Sequence, residues 1–256
     1  MRYMRDHIRI VAAFLLREMA TRYGNNPGGY IWSFLEPAAY IAIMSVLFGA
    51  ISHVPPIGSS YILFFATGYL AFQLYRATET YVVKAVDANR SLLSYPIVSP
   101  IDPVIARFLL QAITWIVVSS IILAVCHIDV RQVTEINFAP ILLAMTFAWT
   151  LALGVGMLNS AFFFYSPLYE KLYTVVTRPL LLLSGVFHLP DGLPTPFKDY
   201  LLLNPICHIV MLFRKGFYSQ YRADGLDIRY LTEWSILLLA AGTLAFAAAL
   251  PYLRKR

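Results

Sequence analysis

The chain has 256 residues, of which 59% are hydrophobic and only 13% charged, with a formal net charge of +6. Ordinary soluble domains carry about 45–50% apolar and about 25% charged residues, so this composition excludes a soluble domain as the bulk of the chain and sets the surplus apolar surface against lipid. The basic residues are scattered between apolar blocks and are not gathered with aromatics on one polar face, which fits the cytoplasmic loops of a membrane protein and argues against nucleic-acid binding.

Arg2, Arg5, Asp6, Arg9, Arg17, Glu18 and Arg22 interrupt any apolar core of a signal peptide. Residues 3–23 instead fit an amphipathic helix, with Met4, Ile8, Val11 and Leu15 on one face and Arg2, Arg5, Arg9 and Arg17 on another, the pattern of a helix lying in the membrane interface. Asn25, Asn26, Pro27, Gly28 and Gly29 break it. Apolar runs long enough to cross a bilayer, about 20 residues each, then follow at about 30–51, 61–84, 104–126, 139–164 and 233–253. The stretch between 165 and 232 is less regular. It holds a short apolar run ending at Leu189, a break at Pro190, Gly192, Pro194 and Pro196, and a second short run from Leu201 to Phe213 containing Asn204 and Pro205.

The basic first helix and the terminal Arg254, Lys255 and Arg256 both call for the cytoplasmic side, so the number of crossings is even. A crossing at about 169–190 makes six, and 197–213 then dips into the membrane from outside and returns, irregular backbone that is tolerated only under protein or water. The expectation is an all-α integral membrane protein forming a single transmembrane domain over 1–256, with six transmembrane helices, an N-terminal interfacial amphipathic helix and a re-entrant segment before the last span. Arg131 lies in an outer loop, and Lys198, Arg214, Lys215, Arg222 and Arg229 fall in the longer outer segment, where the charge bias is weakest.

No Gly-x-x-x-x-Gly-Lys-Ser/Thr sequence occurs, so the chain lacks a P-loop to cradle nucleotide phosphates. The five histidines are dispersed with no zinc spacing, and Cys126 and Cys207 read as buried small apolar residues. Ser184-Gly185 lies outside any Gly-x-Ser-x-Gly elbow, which sets aside an intramembrane serine protease.

The second span is the most informative. Tyr61, Phe65, Tyr69, Phe72, Arg76 and Glu79 recur at helical spacing, so an aromatic stripe runs into a charged pair on one face. Intramembrane ionisable residues mark functional pathways. The stripe reads either as a translocation path on which sugar rings stack and Arg76 meets acidic groups, or as interhelical packing closed by a structural ion pair. In the fourth span, Ala152, Gly156 and Ser160 form a small-residue ridge for close helix packing, and Phe162 to Tyr165 form an interfacial aromatic belt. Between the second and third spans, Arg90, Ser91, Leu92, Leu93 and Tyr95 lie in a short cytoplasmic segment, 87–103, whose leucines either dock a partner or sit back in the interface.

Arg22, Tyr23 and Gly24, followed by Gly29 through Trp32 to Glu36 and Pro37, resemble the opening signature of ABC-2 type exporter permeases, particularly the capsular polysaccharide and O-antigen export group. Asn204, Pro205, His208, Arg214, Gly216, Phe217 and Tyr221 resemble a second series of the same group, except that Met211 stands where many relatives carry a carboxylate. The resemblance covers the whole chain. It implies a transport subunit of the bacterial inner membrane with both termini in the cytoplasm, moving a lipid-linked capsular-type polysaccharide, with no cofactor in this chain. It further implies a homodimer with a second copy, two copies of a cytoplasmic ATPase that hold ATP and Mg, and periplasmic or outer-membrane export proteins beyond. In that frame 87–103 becomes a coupling helix on the ATPase, 3–23 braces the junction, and 197–213 shapes the outer exit. A six-span subunit of another lipid or protein translocase is the alternative.

Overall fold

The computed structural model describes residues 2–23, 29–129 and 136–253; the side chains of residues 2–6, 22–23 and 127–129, along with Gly24, Arg131 and 254–256, lie outside the described set. Every regular element among the described residues is helical. Four helices are long and apolar enough to cross a membrane: α2 (Gly29–Ile51), α5 (Ile101–Asp129, over Ile101–Cys126), α6 (Phe138–Tyr165), and, after three shorter helices, α10 (Ile228–Leu253). A further long helix, α3 (Tyr61–Val83), followed by the one-turn α4 (Ala85–Ala88), carries Gln73, Arg76, Thr78, Glu79 and Thr80 and is less apolar. Residues 63–72 of this helix are all buried, and so are Thr78 and Glu79, so α3 is enclosed by protein over most of its length. At about 1.5 Å per residue its 23 residues are as long as those of α2.

The ends of these helices follow from local chemistry. Ser60 caps α3, Asn137 caps α6 by accepting from the Ala139 N–H at 3.1 Å, and Ser166 with Pro167 starts α7 (Pro167–Val176). At the start of α5 the Asp102 carboxylate accepts from the Ser99 N–H at 2.8 Å.

The region between 165 and 232 departs from a simple fifth span. α7 ends at Val176 because Pro179 has no N–H to continue the ladder, and the chain tightens into a 3-10 segment from Arg178 to Ser184 that stops at Gly185, φ +69°. Two helices follow, α8 (Phe197–Leu202) and α9 (Pro205–Lys215). Residues 206–214 of α9 are all buried, against α3 and α6.

Two hydrophobic clusters are stacked along the bundle. The larger is built on α3, with Phe64, Phe65, Leu70 and Leu74 meeting Leu151 of α6 and Ile209 and Phe213 of α9. The smaller lies at the opposite end, where α1 (Arg2–Tyr23) sets Phe14 against Val82, Val104, Met157 and Phe246. α1 thus buries a face different from the expected one. Ile8 is 64% exposed, while Phe14 and Glu18 point inward and Ile10 and Val11 pack beside them. The predicted small-residue ridge does pack: a Cβ on Gly156 would come within 2.6 Å of Val82 on α3. A closer contact escaped the spacing argument. Gly154 of α6 and Gly242 of α10 touch backbone to backbone, and a Cβ on Gly154 would reach the Leu238–Leu239 peptide at 2.6 Å.

Candidate functional site

The charged pair of α3 is the centre of a polar node inside the bundle. Glu79 is 1% exposed, and its carboxylate accepts from Arg76 at 3.0 Å, from the Tyr173 hydroxyl at 3.1 Å, and from Asn159 and Thr80 at 3.3 Å each. The Tyr169 hydroxyl supports Asn159 at 2.9 Å. Four donors satisfy the lone pairs of this buried carboxylate. Arg76 also donates to Thr177 at 3.2 Å, at the joint between α7 and the 3-10 segment. The node therefore ties α3 to α6 and to the irregular region.

Beside Arg76 lies a cavity of about 530 Å³ between α2, α3 and α5. Trp32 and Glu36 line it from α2, Tyr69, Gln73 and Arg76 from α3, and Trp115 from α5. Pro37, also in its wall, lacks an N–H and so leaves the Ser33 carbonyl without its helical donor. Tyr69 stacks on Tyr40 at 4.1 Å between ring centroids and accepts a hydrogen bond from Gln73 at 2.6 Å.

The structure divides the predicted stripe. Tyr69 and Arg76 reach the cavity, and Glu79 anchors Arg76 from behind. Phe65 is enclosed by Phe48 and Phe187, at centroid distances of 5.0 and 6.1 Å, and Phe72 is buried in the core. Tyr61 stacks on Phe65 and donates to the Val54 carbonyl at 2.7 Å. Within one chain these three belong to packing.

The loop after α3 bears on the two readings of its leucines. Leu93 is 4% exposed, seated with Val86, Val98 and Val104, and Leu92 packs against the same cluster. The leucines are covered by their own chain. What faces outward is Arg90, paired with Asp87 at 2.7 Å, together with Ser91, Tyr95 and Ile97, the last 64% exposed. Below this loop, Glu18 accepts from Arg107 at 2.9 Å, Asn89 at 2.8 Å and Tyr81 at 2.9 Å, while Arg17 reaches Asn89 at 2.8 Å. His7 meets Asp102 at 3.0 Å. Burial pushes the Glu18 carboxyl up, but the bonds from Arg107, Asn89 and Tyr81 outweigh it and hold the group below its ordinary 4.5. Sequence reading missed this cluster, although Glu18 and Arg107 each interrupt an apolar stretch and could have been paired on that ground.

At the other end, the second motif series holds the α8–α9 turn together. Asn204 caps α9 by accepting from the Ile206 N–H at 3.0 Å, and donates to the Leu183 carbonyl at 2.9 Å; Pro205 occupies the first helical turn. His208 bonds the Leu202 carbonyl through Nε2 at 2.8 Å and accepts from the Asp227 N–H through Nδ1 at 3.1 Å. Arg214 is wholly buried and pairs with no carboxylate among the described residues. It donates to the carbonyls of Gly185 at 2.6 Å and Val186 at 2.8 Å and lies over the Phe64 ring at 4.2 Å. The guanidinium thereby satisfies the carbonyls left open where the 3-10 segment ends. Met211, at the position noted for a missing carboxylate, is fully buried. Of the first motif, Arg22 and Tyr23 enter only as the last turn of α1, Trp32 and Glu36 face the cavity, and Pro37 is buried.

The sequence profile of the ABC-2 type transporter family matches residues 10–218, four-fifths of the chain and all of the elements that build the node, the cavity and the Arg214 contacts. The chain belongs to the ABC-2 type transporter family. This ABC-2 chain is 29% identical over 232 residues to the polysialic acid transport protein KpsM of Escherichia coli, a match covering 91% of this chain and 90% of that one. It is 28% identical over 235 residues to the capsule polysaccharide export inner-membrane protein CtrC of Neisseria meningitidis serogroup A, covering 90% and 85%. It is 27% identical over 239 residues to the capsule polysaccharide export inner-membrane protein BexB of Haemophilus influenzae, covering 91% and 88%.

Proposed function

We propose that this chain is the transmembrane permease of an ATP-driven exporter that moves a lipid-linked capsular-type polysaccharide across the bacterial inner membrane. The observation that carries the proposal is the likeness, over about nine-tenths of each chain, to proteins named for capsule polysaccharide export. The arrangement of the bundle supports it: a polar cavity beside a braced arginine, set among membrane-length helices, is costly in hydrocarbon and is expected where a hydrophilic cargo passes.

In this reading the chain crosses six times. α2, α3, α5, α6 and α10 are five crossings, α7 with its 3-10 extension is the remaining one, and α8 with α9 forms the re-entrant turn at the outer face. α1 lies in the inner interface and both termini are cytoplasmic. The path narrows from the six-residue stripe to Tyr69 and Arg76, with Glu79 holding Arg76 and cancelling its charge, so that Arg76 offers hydrogen bonds more than a net positive field. The chain has no P-loop, so ATP and Mg belong to a separate ATPase, present in two copies beneath a permease homodimer. Arg90, Ser91, Tyr95 and Ile97 form its landing surface, with Leu92 and Leu93 shaping that loop from inside.

The test is reconstitution of the permease with its ATPase in inverted vesicles loaded from outside with radiolabelled lipid-linked polymer. ATP-dependent protection of the label from added glycanase is the expected result. Protection that is equal without ATP, or with the ATPase omitted, would overturn the proposal.

A further inference from the structure

α5 and α6 each pack on α3 but hardly on one another, and the gap between them is a groove. Its walls follow from helical spacing. Ile116, Ser119, Ser120 and Leu123 recur at i, i+3, i+4 and i+7 along α5, and Phe138, Ile141 and Met145 at i, i+3 and i+7 along α6. The groove has a volume of about 440 Å³. Leu74, Phe213 and Phe217 form a buried floor, while Ile116 and Phe138 on the rim are 40% and 65% exposed. From Ile116 to Ala124 α5 rises about 12 Å, most of the roughly 15 Å that one leaflet contributes to the hydrocarbon core. At that depth an apolar concavity packs against hydrocarbon, because a gap along its wall forfeits dispersion contacts. A lipid acyl chain has the length and the chemistry to lie there.

A second cavity, of about 690 Å³, continues the groove at the start of α6 and shares Ile136 and Phe138 with it. Here the lining turns polar: Asn137, Lys215 and Ser219 join Pro140, Leu226 and Ile228. Among the described residues Lys215 is the one charged side chain of this lining; it is exposed and forms no ion pair. Asp227, next to Ile228, is turned to the Tyr230 N–H at 2.9 Å. The lysine is also held in position. The Asn137 N–H donates to the Gly216 carbonyl at 2.9 Å, and a Cβ on Gly216 would run into Ile141, so the end of α9 is pinned on the start of α6. A fixed cation thus stands at the polar end of an acyl-sized groove, the arrangement that receives an acidic lipid head. The lining offers no carboxylate to an ammonium group, so a head whose only charge is its phosphate fits better than a zwitterionic one.

We infer that the two cavities form one site for an anionic phospholipid of the surrounding membrane, with an acyl chain in the α5–α6 groove and the phosphate against Lys215. In the six-crossing reading this is the outer leaflet, and the site does not depend on what the chain exports.

Full-length permease carrying benzoylphenylalanine at position 138 or 120, or at 244 as a control on the exposed face of α10, is reconstituted in vesicles and irradiated. The vesicles hold equal parts of phosphatidylglycerol and phosphatidylethanolamine with the same acyl chains. Mass spectrometry of the adducts should show phosphatidylglycerol favoured several-fold at 138 and 120, attached through an acyl chain at 120, and the two lipids captured equally at 244. Lys215→Gln should abolish the preference and Lys215→Arg should keep it. Equal capture at 138 and 120, a preference that Lys215→Gln leaves unchanged, or attachment at 120 through the head group alone would each overturn the site. In capsule-producing cells, an adduct at 138 that glycanase shortens would make lipid-linked polymer the occupant and overturn it as well. The vesicles contain no polymer, so failure there leaves the exporter reading standing, and loss of that reading leaves the lipid preference standing.

Discussion

Removing either member of the Arg76–Glu79 pair breaks the same 3.0 Å contact, yet the two substitutions are expected to differ. Arg76→Ala leaves Glu79 with the Tyr173, Asn159 and Thr80 donors, so the carboxylate stays solvated by protein and the loss is that of one charged hydrogen bond, about 1.5–3 kcal/mol. Glu79→Ala removes the common acceptor of four donors. Arg76, whose side chain is 26% exposed at the cavity, can still be hydrated, but the Tyr173 and Asn159 donors lose their buried acceptor, and an orphaned buried polar group costs about 1–3 kcal/mol on top of the lost charged hydrogen bond. Glu79→Ala should therefore be the more destabilising by about 2 kcal/mol in an unfolding titration of the purified permease in mixed micelles. Measured against the singles Arg76→Ala and Glu79→Gln, the double variant carrying both, which leaves no unpaired charge, should cost less than the sum of the two in a double-mutant cycle. Equal costs, or a larger cost for Arg76→Ala, would refute Glu79 as the hub of the node.

Leu93→Asp should abolish folded protein because Leu93 sits in the inner cluster, whereas Tyr95→Ala with Ile97→Ala should leave permease abundance unchanged and reduce ATPase recovery in a pull-down; the opposite pattern would return docking to the leucines. Glu18 is held below its ordinary 4.5 in the folded protein, so its contribution is present above that pH and lost as pH falls through the depressed folded value; stability measured against pH should fall at the acid end for the wild type and more gently for Glu18→Gln. Gly154→Leu should cost several kcal/mol, because its side chain would enter the α10 backbone, and wild-type thermal stability for that variant would contradict the α6–α10 contact.

The long elements were legible because apolar runs of membrane length need no tertiary information: predicted 30–51, 61–84 and 139–164 correspond to Gly29–Ile51, Tyr61–Val83 and Phe138–Tyr165. Periodicity alone placed Arg76 and Glu79 on one face and so found their ion pair. It did not reveal which neighbours would meet that face. Asn159, Tyr169 and Tyr173 come from helices about 80 to 94 residues away in sequence, and Phe65 and Phe72 have the same spacing as Tyr69 but turn into the core. The segment 169–190 was read by composition as a span, while Pro179 and Gly185 impose a change of helix type partway through. For α1, polar and apolar faces were assigned by residue type, and Glu18 ended on the buried side because Arg107, Asn89 and Tyr81 wait there. Leu92 and Leu93 looked uncovered only because Phe14, which covers their cluster, lies far away in sequence.

The most direct test of the central claim is the location of the polymer in cells whose chromosomal copy of this permease has been deleted and restored on a plasmid. Polysaccharide should accumulate inside the deletion strain, vanish from its surface, and return to the surface with the wild-type chain. Surface polysaccharide at normal levels in the deletion strain would contradict the account.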